Sequence, residues 1–565
     1  MTPKNSAQPS EILPMASSRR GFLQTATLAA AALSAGVKAS AQSTASDRPV
    51  GGLSGNGAGQ LFWTVETTAG KVQGISNTGI KEFKCIPYGA PTGGRNRFMP
   101  PRKPAPWPGL KECFGYGQIS PQTLADMRSD YGMMIQWDRH NVGGMGEDVL
   151  TLNVWTPGVN DGQKRAVMVS FHGGGFATGS GNGPGYDGAQ LARFGDVVVV
   201  TVNHRLASFG YLNLVDAGAP AEFSSAGSAG AMDMVASLEW VRDNIANFGG
   251  DPSKVMIFGQ SGGGAKTTTL LAMPSAKGLF HSAGVQSGSA LRLMTREQGA
   301  KSAELLLGQL SISKSNIGDI QKISWQQILE AQTALTGKAG FSPVVMEGTA
   351  LPHHPFDPAA PMESAEVPVV ISTTLEDAAL SLTNFNVDEA GVKAIFNKRW
   401  AGKGDEIYAL YRKHNPKKTP FLLQAQAFTD SGFRGSAITQ AERKAALGKA
   451  PAYMYLWSFE SPGFDKKFGA VHGTDVSASF YNYRDGIGGT GSAQQLALWK
   501  KFASGWVALA KTADPNCAEL PHWAPYDTAA RATMVFDNDP RVENDPRSEI
   551  RKFWAEMPPA PGPRG

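Results

Sequence analysis

The chain has 565 residues, 41% hydrophobic and 18% charged, with 66 glycines and 36 prolines, the composition of a globular protein built with many shaped loops. Its formal charge is +5, but Lys4, Arg19, Arg20 and Lys38 against Glu11 place +3 of that near the N-terminus; with no basic stripe or nucleic-acid-reading motif in the remainder, no nucleic-acid partner is implied. Cys85, Cys113 and Cys517 are the only cysteines, an odd number without C-x-x-C spacing, which argues against a disulfide framework and a thiolate metal site and leaves three free thiols.

In chain order, Ser18-Arg19-Arg20-Gly21-Phe22-Leu23 precedes an Ala-rich apolar run from Thr25 to Val37, followed by Lys38 and Ala39-Ser40-Ala41. The segment resembles a twin-arginine signal peptide over residues 1–41, cleaved after Ala41, and the run is well short of the roughly 20 residues a spanning helix needs. Export of the folded chain to the periplasm or beyond is therefore expected, with no integral membrane segment in the mature protein. Residues 42–60 are rich in Ser, Gly and Ala and read as a flexible linker. Residues 61–565 read as one elaborated domain.

Arg165 to His172 and Val197 to Asn203 are short β-branched runs with little alternation, the pattern of strands buried on both faces of a parallel sheet. Ser237 to Phe248 carries Leu238, Val241 and Ile245 at helical spacing and ends at Gly249-Gly250-Asp251-Pro252, a helix stop. Val255 to Phe258 is the next strand, and this order of strand, helix and strand predicts an α/β sheet with right-handed crossovers. Val367 to Ser372 and Tyr453 to Phe459 read as later strands. The stretches Glu297 to Thr336 and Val387 to Glu442 read as helical insertions that roof the active site.

Gly259-Gln260-Ser261-Gly262-Gly263 lies between the strand Val255 to Phe258 and a predicted helix, Ala265 to Ala272. A serine between small residues on a strand-to-helix turn has the context of a nucleophile elbow: the turn lifts Oγ above the sheet and the helix N-terminus stabilises developing negative charge. Gly259 to Thr267 also looks like a phosphate-binding loop, but Ala265 stands where that motif needs glycine before Lys266. His172-Gly173-Gly174-Gly175 follows the first strand directly, where glycines let the backbone turn N–H groups toward a substrate carbonyl. Gly183-Pro184-Gly185-Tyr186-Asp187-Gly188 matches a dinucleotide fingerprint in letters only; it is distant from its strand and contains Pro184, so it reads as a structural loop.

With elbow and glycine loop placed, the chain resembles the type-B carboxylesterase family, which includes cholinesterases and bacterial p-nitrobenzyl esterases. Further landmarks are Gly146-Glu147-Asp148-Val149-Leu150-Thr151-Leu152-Asn153-Val154-Trp155, Phe248-Gly249-Gly250-Asp251-Pro252, Gln286-Ser287-Gly288-Ser289 and Pro521-His522-Trp523-Ala524-Pro525-Tyr526. The resemblance implies an α/β-hydrolase fold, a large mostly parallel sheet with helices on both faces, and hydrolysis of a small-molecule carboxylic ester. It places the nucleophile on Ser261, the base on His472 within Val471-His472-Gly473-Thr474-Asp475, and oxyanion donors on Gly174, Gly175 and Gly262. In Leu375-Glu376-Asp377-Ala378 an ungapped match puts the acid on Asp377, with the adjacent Glu376 the alternative acid and otherwise a supporting residue, and the resemblance gives Ser287 a supporting role near the acid. No metal or organic cofactor is implied. The elbow reads Gln-Ser-Gly where the family usually has Glu-Ser-Ala. Cleavage of amides or carbamates by the same triad is the enzymatic alternative, and a cholinesterase-like binding module without chemistry is the non-enzymatic one. Trp63, Trp137 and Trp457 are candidates for core packing or for lining a gorge.

Overall fold

A computed structural model describes residues 59–124, 143–482 and 491–557. The leader, the linker as far as residue 58 and Trp137 lie outside the described residues. The described residues from Gln60 onward cluster as one compact unit.

The strands are β1 (Phe62–Thr67), β2 (Gly70–Asn77), β3 (Ile80–Pro87), β4 (Leu110–Glu112), β5 (Thr151–Thr156), β6 (Arg165–Phe171) and β7 (Val198–Val202). They continue as β8 (Gly250–Gln260), β9 (Ser282–Gln286), β10 (Val369–Thr374), β11 (Ala452–Trp457), β12 (Ala532–Phe536) and β13 (Arg541–Asn544). Among the described residues they form one 13-stranded sheet in the order β1-β2-β3-β5-β7-β6-β8-β9-β10-β11-β12-β13, with β4 on β2. The pairings from β7 through β6, β8, β9, β10 and β11 to β12 are parallel, whereas the flanks β1-β2-β3-β5-β7 and β12-β13 are antiparallel.

The central strands are buried on both faces, and alternate residues go to opposite sides. Val167, Val169, Phe171, Val198, Val200 and Ile257 enter one core, joined by Met234, Leu238 and Val241 of the helix Ala229–Asn244. Met168, Val199, Met256 and Phe258 enter the other, under Leu498, Trp499, Phe502 and Trp506 of the helix Ala493–Thr512. Each fully buried aliphatic side chain contributes about 1.5–3 kcal/mol. Trp457 lies in the second core with no exposed surface, and Trp63 packs against the first, so both are packing residues.

Strand β6 lies between β7 and β8, so the chain leaves it to one side and returns on the other. That reversal opens a crevice at the carboxyl ends of β6 and β8, where ligands bind in open α/β sheets. The glycine loop follows β6 and the elbow follows β8. The insertions are helical as read: Arg296–Gln309 and Trp325–Ala334 in the first, then Glu389–Arg399, Gly404–His414, Pro420–Thr429 and Gly435–Ala446 in the second. All three cysteines are free, and burial pushes the Cys113 thiol up to about 12.

Candidate active site

Ser261 sits at φ 60°, ψ −124°, between β8 and the helix Gly262–Leu271. This conformation is costly for a residue with a Cβ, and the surroundings hold it: the Ser261 amide donates to the Gln286 carbonyl at 2.8 Å. Crowding explains the glycines, because a Cβ at Gly259 or Gly263 would collide with the Phe171 carbonyl oxygen and one at Gly262 with the Gly175 backbone. Ser261 is partly exposed while Gly262 and Gly263 are buried.

The glycine loop is pinned peptide by peptide. The His172 carbonyl accepts from Lys266 Nζ at 2.8 Å, and the Gly173 amide donates to Tyr186 Oη at 3.0 Å. His172 Nδ1 lies 2.8 Å from the Gly173 carbonyl, which only accepts, so Nδ1 carries the proton. The Gly174 carbonyl accepts from the Thr178 amide at 3.0 Å and from Thr178 Oγ1 at 3.2 Å. In a trans peptide the C=O and N–H point in opposite directions, so anchoring the carbonyls of Gly173 and Gly174 aims the amides of Gly174 and Gly175. Both glycines are exposed at left-handed φ, 83° and 62°, and their N–H groups have no acceptor among the described residues. Burial and then the Lys266 charge push His172 well below the usual imidazole range, so it is neutral.

Asp377 and His472 are directly paired. His472 Nδ1 lies 2.6 Å from Asp377 Oδ1. The other oxygen, Oδ2, accepts from the Thr374 amide at 2.9 Å and from Ser287 Oγ at 3.0 Å. Asp377 and Ser287 are buried, and His472 is 4% exposed. Glu376 turns the opposite way: Oε1 accepts from Lys418 Nζ at 2.9 Å and Gln426 Nε2 at 2.7 Å, and Oε2 from the Ala470 amide at 2.8 Å. Since the Glu376 amide also donates to the Ala470 carbonyl at 3.0 Å, Glu376 holds the segment that leads into His472. Asp377 and Glu376 thus reach different partners, and Ser287 joins the β9 end to Asp377.

Several neighbours had no assigned role in the sequence reading. Tyr186, in the loop that mimics a dinucleotide fingerprint, supports the glycine loop instead. Phe433 sits on a π-helical turn, Asp430–Arg434, with its ring 5.3 Å from that of His472; no local pattern announces such a turn. Asp475 lies beneath the base, its Oδ2 accepting from Tyr455 Oη at 2.7 Å and Gln286 Nε2 at 3.0 Å. Burial first, and the Asp377 charge after it, push its carboxyl up to about 6. Among the described residues no cluster of His, Cys, Asp and Glu could hold a metal ion.

A partly exposed serine on a strained strand-to-helix turn, a glycine loop with aimed amides, and a buried carboxylate–imidazole pair on adjacent strand ends define an α/β hydrolase of the serine type. Residues 63–554 match the model of the carboxylesterase family, and the chain belongs to that family. It is 32% identical over 508 residues to the para-nitrobenzyl esterase of Bacillus subtilis, an alignment that covers 86% of this chain and 97% of that protein. The phenmedipham hydrolase of Pseudarthrobacter oxydans is 28% identical over 492 residues, covering 84% and 94%. Among solved structures, a Geobacillus stearothermophilus carboxylesterase superposes with a TM-score of 0.75 at 31% identity, covering 87% of this chain and 99% of that one. The protein is a carboxylic ester hydrolase with the α/β-hydrolase fold.

Proposed function

We propose that Ser261, His472 and Asp377 are the catalytic triad and that the amides of Gly174, Gly175 and Gly262 form the oxyanion hole. His472 Nε2 takes the Ser261 proton as Oγ bonds to the ester carbonyl carbon, and the carbonyl π pair moves onto oxygen among the glycine amides. Asp377 holds the Nδ1–H tautomer and stabilises the imidazolium. The tetrahedral adduct collapses, His472 returns the proton to the departing alcohol, and water repeats the sequence on the acyl-enzyme. Ser287 and Glu376 are supporting residues. The observation that carries this reading is the 2.6 Å contact between His472 and a buried Asp377 whose other oxygen is tied to Ser287. A serine hydroxyl is a poor nucleophile without such a base. Ser261→Ala is expected to abolish hydrolysis of p-nitrophenyl and p-nitrobenzyl esters and labelling by a fluorophosphonate; folded Ser261→Ala protein with wild-type turnover would refute the assignment.

The substrate class that fits is a small-molecule carboxylic ester, and the name of the Bacillus subtilis relative makes p-nitrobenzyl esters the first probes. The Arg19-Arg20 segment and Ala39-Ser40-Ala41 support export through a twin-arginine route to the periplasm or beyond, with mature protein starting at Gln42. Among the described residues no helix is long and apolar enough to cross a membrane. N-terminal sequencing of fractionated protein tests the route, and Arg19→Lys/Arg20→Lys is expected to retain the full-length precursor in the cytoplasm.

A further inference from the structure

Lys266 sits in the first turns of the elbow helix with no exposed surface. The chemistry above does not use it, and the phosphate-loop reading that singled it out fails. Its ammonium lies beneath the glycine loop, donating to the His172 carbonyl at 2.8 Å and lying 3.4 Å from His172 Nδ1. The peptide between His172 and Gly173 is therefore held at both ends, by Lys266 on the carbonyl and Tyr186 Oη on the amide.

Burying an ammonium carries a desolvation cost, and at this position the ion joins the helix that starts at the nucleophile to the loop that receives the oxyanion. The neighbouring imidazoles contribute to the arrangement. His172 and His204 are stacked with ring centroids 5.1 Å apart. Burial and then the Lys266 charge hold both well below the usual imidazole range, so both are neutral. A neutral His172 with its proton on Nδ1 anchors the Gly173 carbonyl, and through that peptide plane it sets the direction of the Gly174 N–H.

From this geometry we propose that Lys266 is a positioning residue for the oxyanion hole: by holding the His172 carbonyl beneath the glycine loop, it fixes the peptide between His172 and Gly173 and, through His172, the direction of the Gly174 amide. The proposal rests on the assignment of Ser261 as nucleophile and of Gly174 as an oxyanion donor. Losing one oxyanion donor outright costs about 10²–10³ in kcat, and misaiming one is expected to cost less.

The test compares wild type with Lys266→Met, and with Lys266→Arg, which keeps a charged donor. Three quantities are measured: kcat per titratable serine on a p-nitrophenyl ester, KM, and affinity for an aryl trifluoromethyl ketone. Ser261 Oγ adds to the ketone carbonyl carbon as its proton passes to His472, and the ketone oxygen, taking the carbonyl π pair, becomes an alkoxide that occupies the oxyanion hole. In Lys266→Met, kcat is expected to fall by about tenfold to hundredfold, ketone affinity to weaken by the same factor, and KM to stay within about twofold. Lys266→Arg is expected to recover part of both losses together. If Lys266→Met does not fold, Lys266→Arg carries the test through the same paired shift in kcat and ketone affinity. Wild-type kcat and ketone affinity per titrated serine in the folded variants would overturn the proposal, as would a loss confined to the fraction of titratable serine. Wild-type enzyme that neither labels at Ser261 nor binds the ketone would instead overturn the catalytic assignment, so the two failures are distinguishable.

Discussion

Replacing Asp377 by asparagine changes one atom and reverses the proton inventory of the triad. Asp377 Oδ2 accepts from the Thr374 amide at 2.9 Å and Ser287 Oγ at 3.0 Å. The Thr374 N–H can only donate, so an asparagine must keep its carbonyl oxygen there. Its NH₂ then faces His472 Nδ1, 2.6 Å from the original oxygen. The opposite orientation would set NH₂ against a buried amide N–H and leave both unsatisfied, at about 1–3 kcal/mol each. The imidazole is thereby driven to the Nε2–H tautomer, which has no lone pair for the Ser261 proton. The same substitution in a serine protease triad lowers kcat about 10⁴-fold, equivalent to about 5 kcal/mol of transition-state stabilisation. Asp377→Asn is expected to lose turnover on that scale, with KM and the unfolding midpoint close to wild type because the shape and both contacts at Oδ2 persist. Stopped-flow hydrolysis of a p-nitrophenyl ester, normalised to folded protein, measures it. A folded variant retaining more than a tenth of wild-type kcat would refute the tautomer argument and return the acid's role to Glu376.

Glu376→Gln is expected to separate support from chemistry. It removes the charge facing Lys418 at 2.9 Å while Glu460 still pairs with that lysine at 2.6 Å, and costs about 1–3 kcal/mol in denaturant unfolding, with kcat per titrated serine falling far less than in Asp377→Asn; equal losses of kcat in the two variants would contradict the division of roles. Gly263→Ala places a methyl group against the Phe171 carbonyl oxygen, and the backbone cannot yield without moving β6, so soluble yield and melting temperature are expected to collapse; a wild-type melting curve would show the elbow to be looser than described. Asp475 carries a pH dependence of known sign. Its carboxyl is raised from 3.8 to about 6 by burial first and the Asp377 charge after it, so the folded state binds its proton more tightly than the unfolded chain. The stability it contributes is complete below about pH 4 and is lost as pH rises through about 6. Asp475→Asn is expected to gain on wild type by up to about 3 kcal/mol between pH 4 and 8 in urea unfolding; parallel stability curves would be the contrary result.

The parallel centre of the sheet was legible because strands covered on both faces have little polar surface to accommodate: β6, β7, β10 and β11 read as short, mostly apolar runs with little alternation. The flanks were not. Strand β1 is half exposed, and β13, Arg-Val-Glu-Asn, has no buried residue, so neither carries a strand signature. The helix preceding β8 begins at Ala229, upstream of its apolar stripe. Its first turn packs through small residues, since a Cβ at Gly230 would meet the Arg205 carbonyl and the Tyr211 ring, and close backbone approach leaves no hydrophobic period to read. Gly250 reads as part of a turn, yet it already pairs with Arg165 across a bulge. At the site, types and order of residues were readable, whereas direction was not: Glu376 and Asp377 are adjacent carboxylates whose partners, Lys418 and His472, differ only through the turn that separates them.

The proximity of residues so far apart in the chain follows from strand register. Gln260 pairs with Gln286, Gln286 with Ser372, and Ser372 with Tyr455, a single row across β8, β9, β10 and β11. Ser261 stands one residue beyond this row on β8 and Ser287 one beyond it on β9. The turn after β10 delivers Asp377 to Ser287, and Tyr455 at the β11 position reaches Asp475 beneath His472. Parallel strands end on the same side, so a shared row places residues from four separate segments along one edge, and the longer segment after β11 that carries His472 is tied back to it by the Glu376 amide on the Ala470 carbonyl. A slip of one residue in any of these pairings would turn that strand's side chains to the opposite face and move its contribution out of line. Deep burial of the row, with Gln260, Gln286, Ser372 and Tyr455 each at most 2% exposed, therefore secures the alignment of the site as well as the stability of the fold.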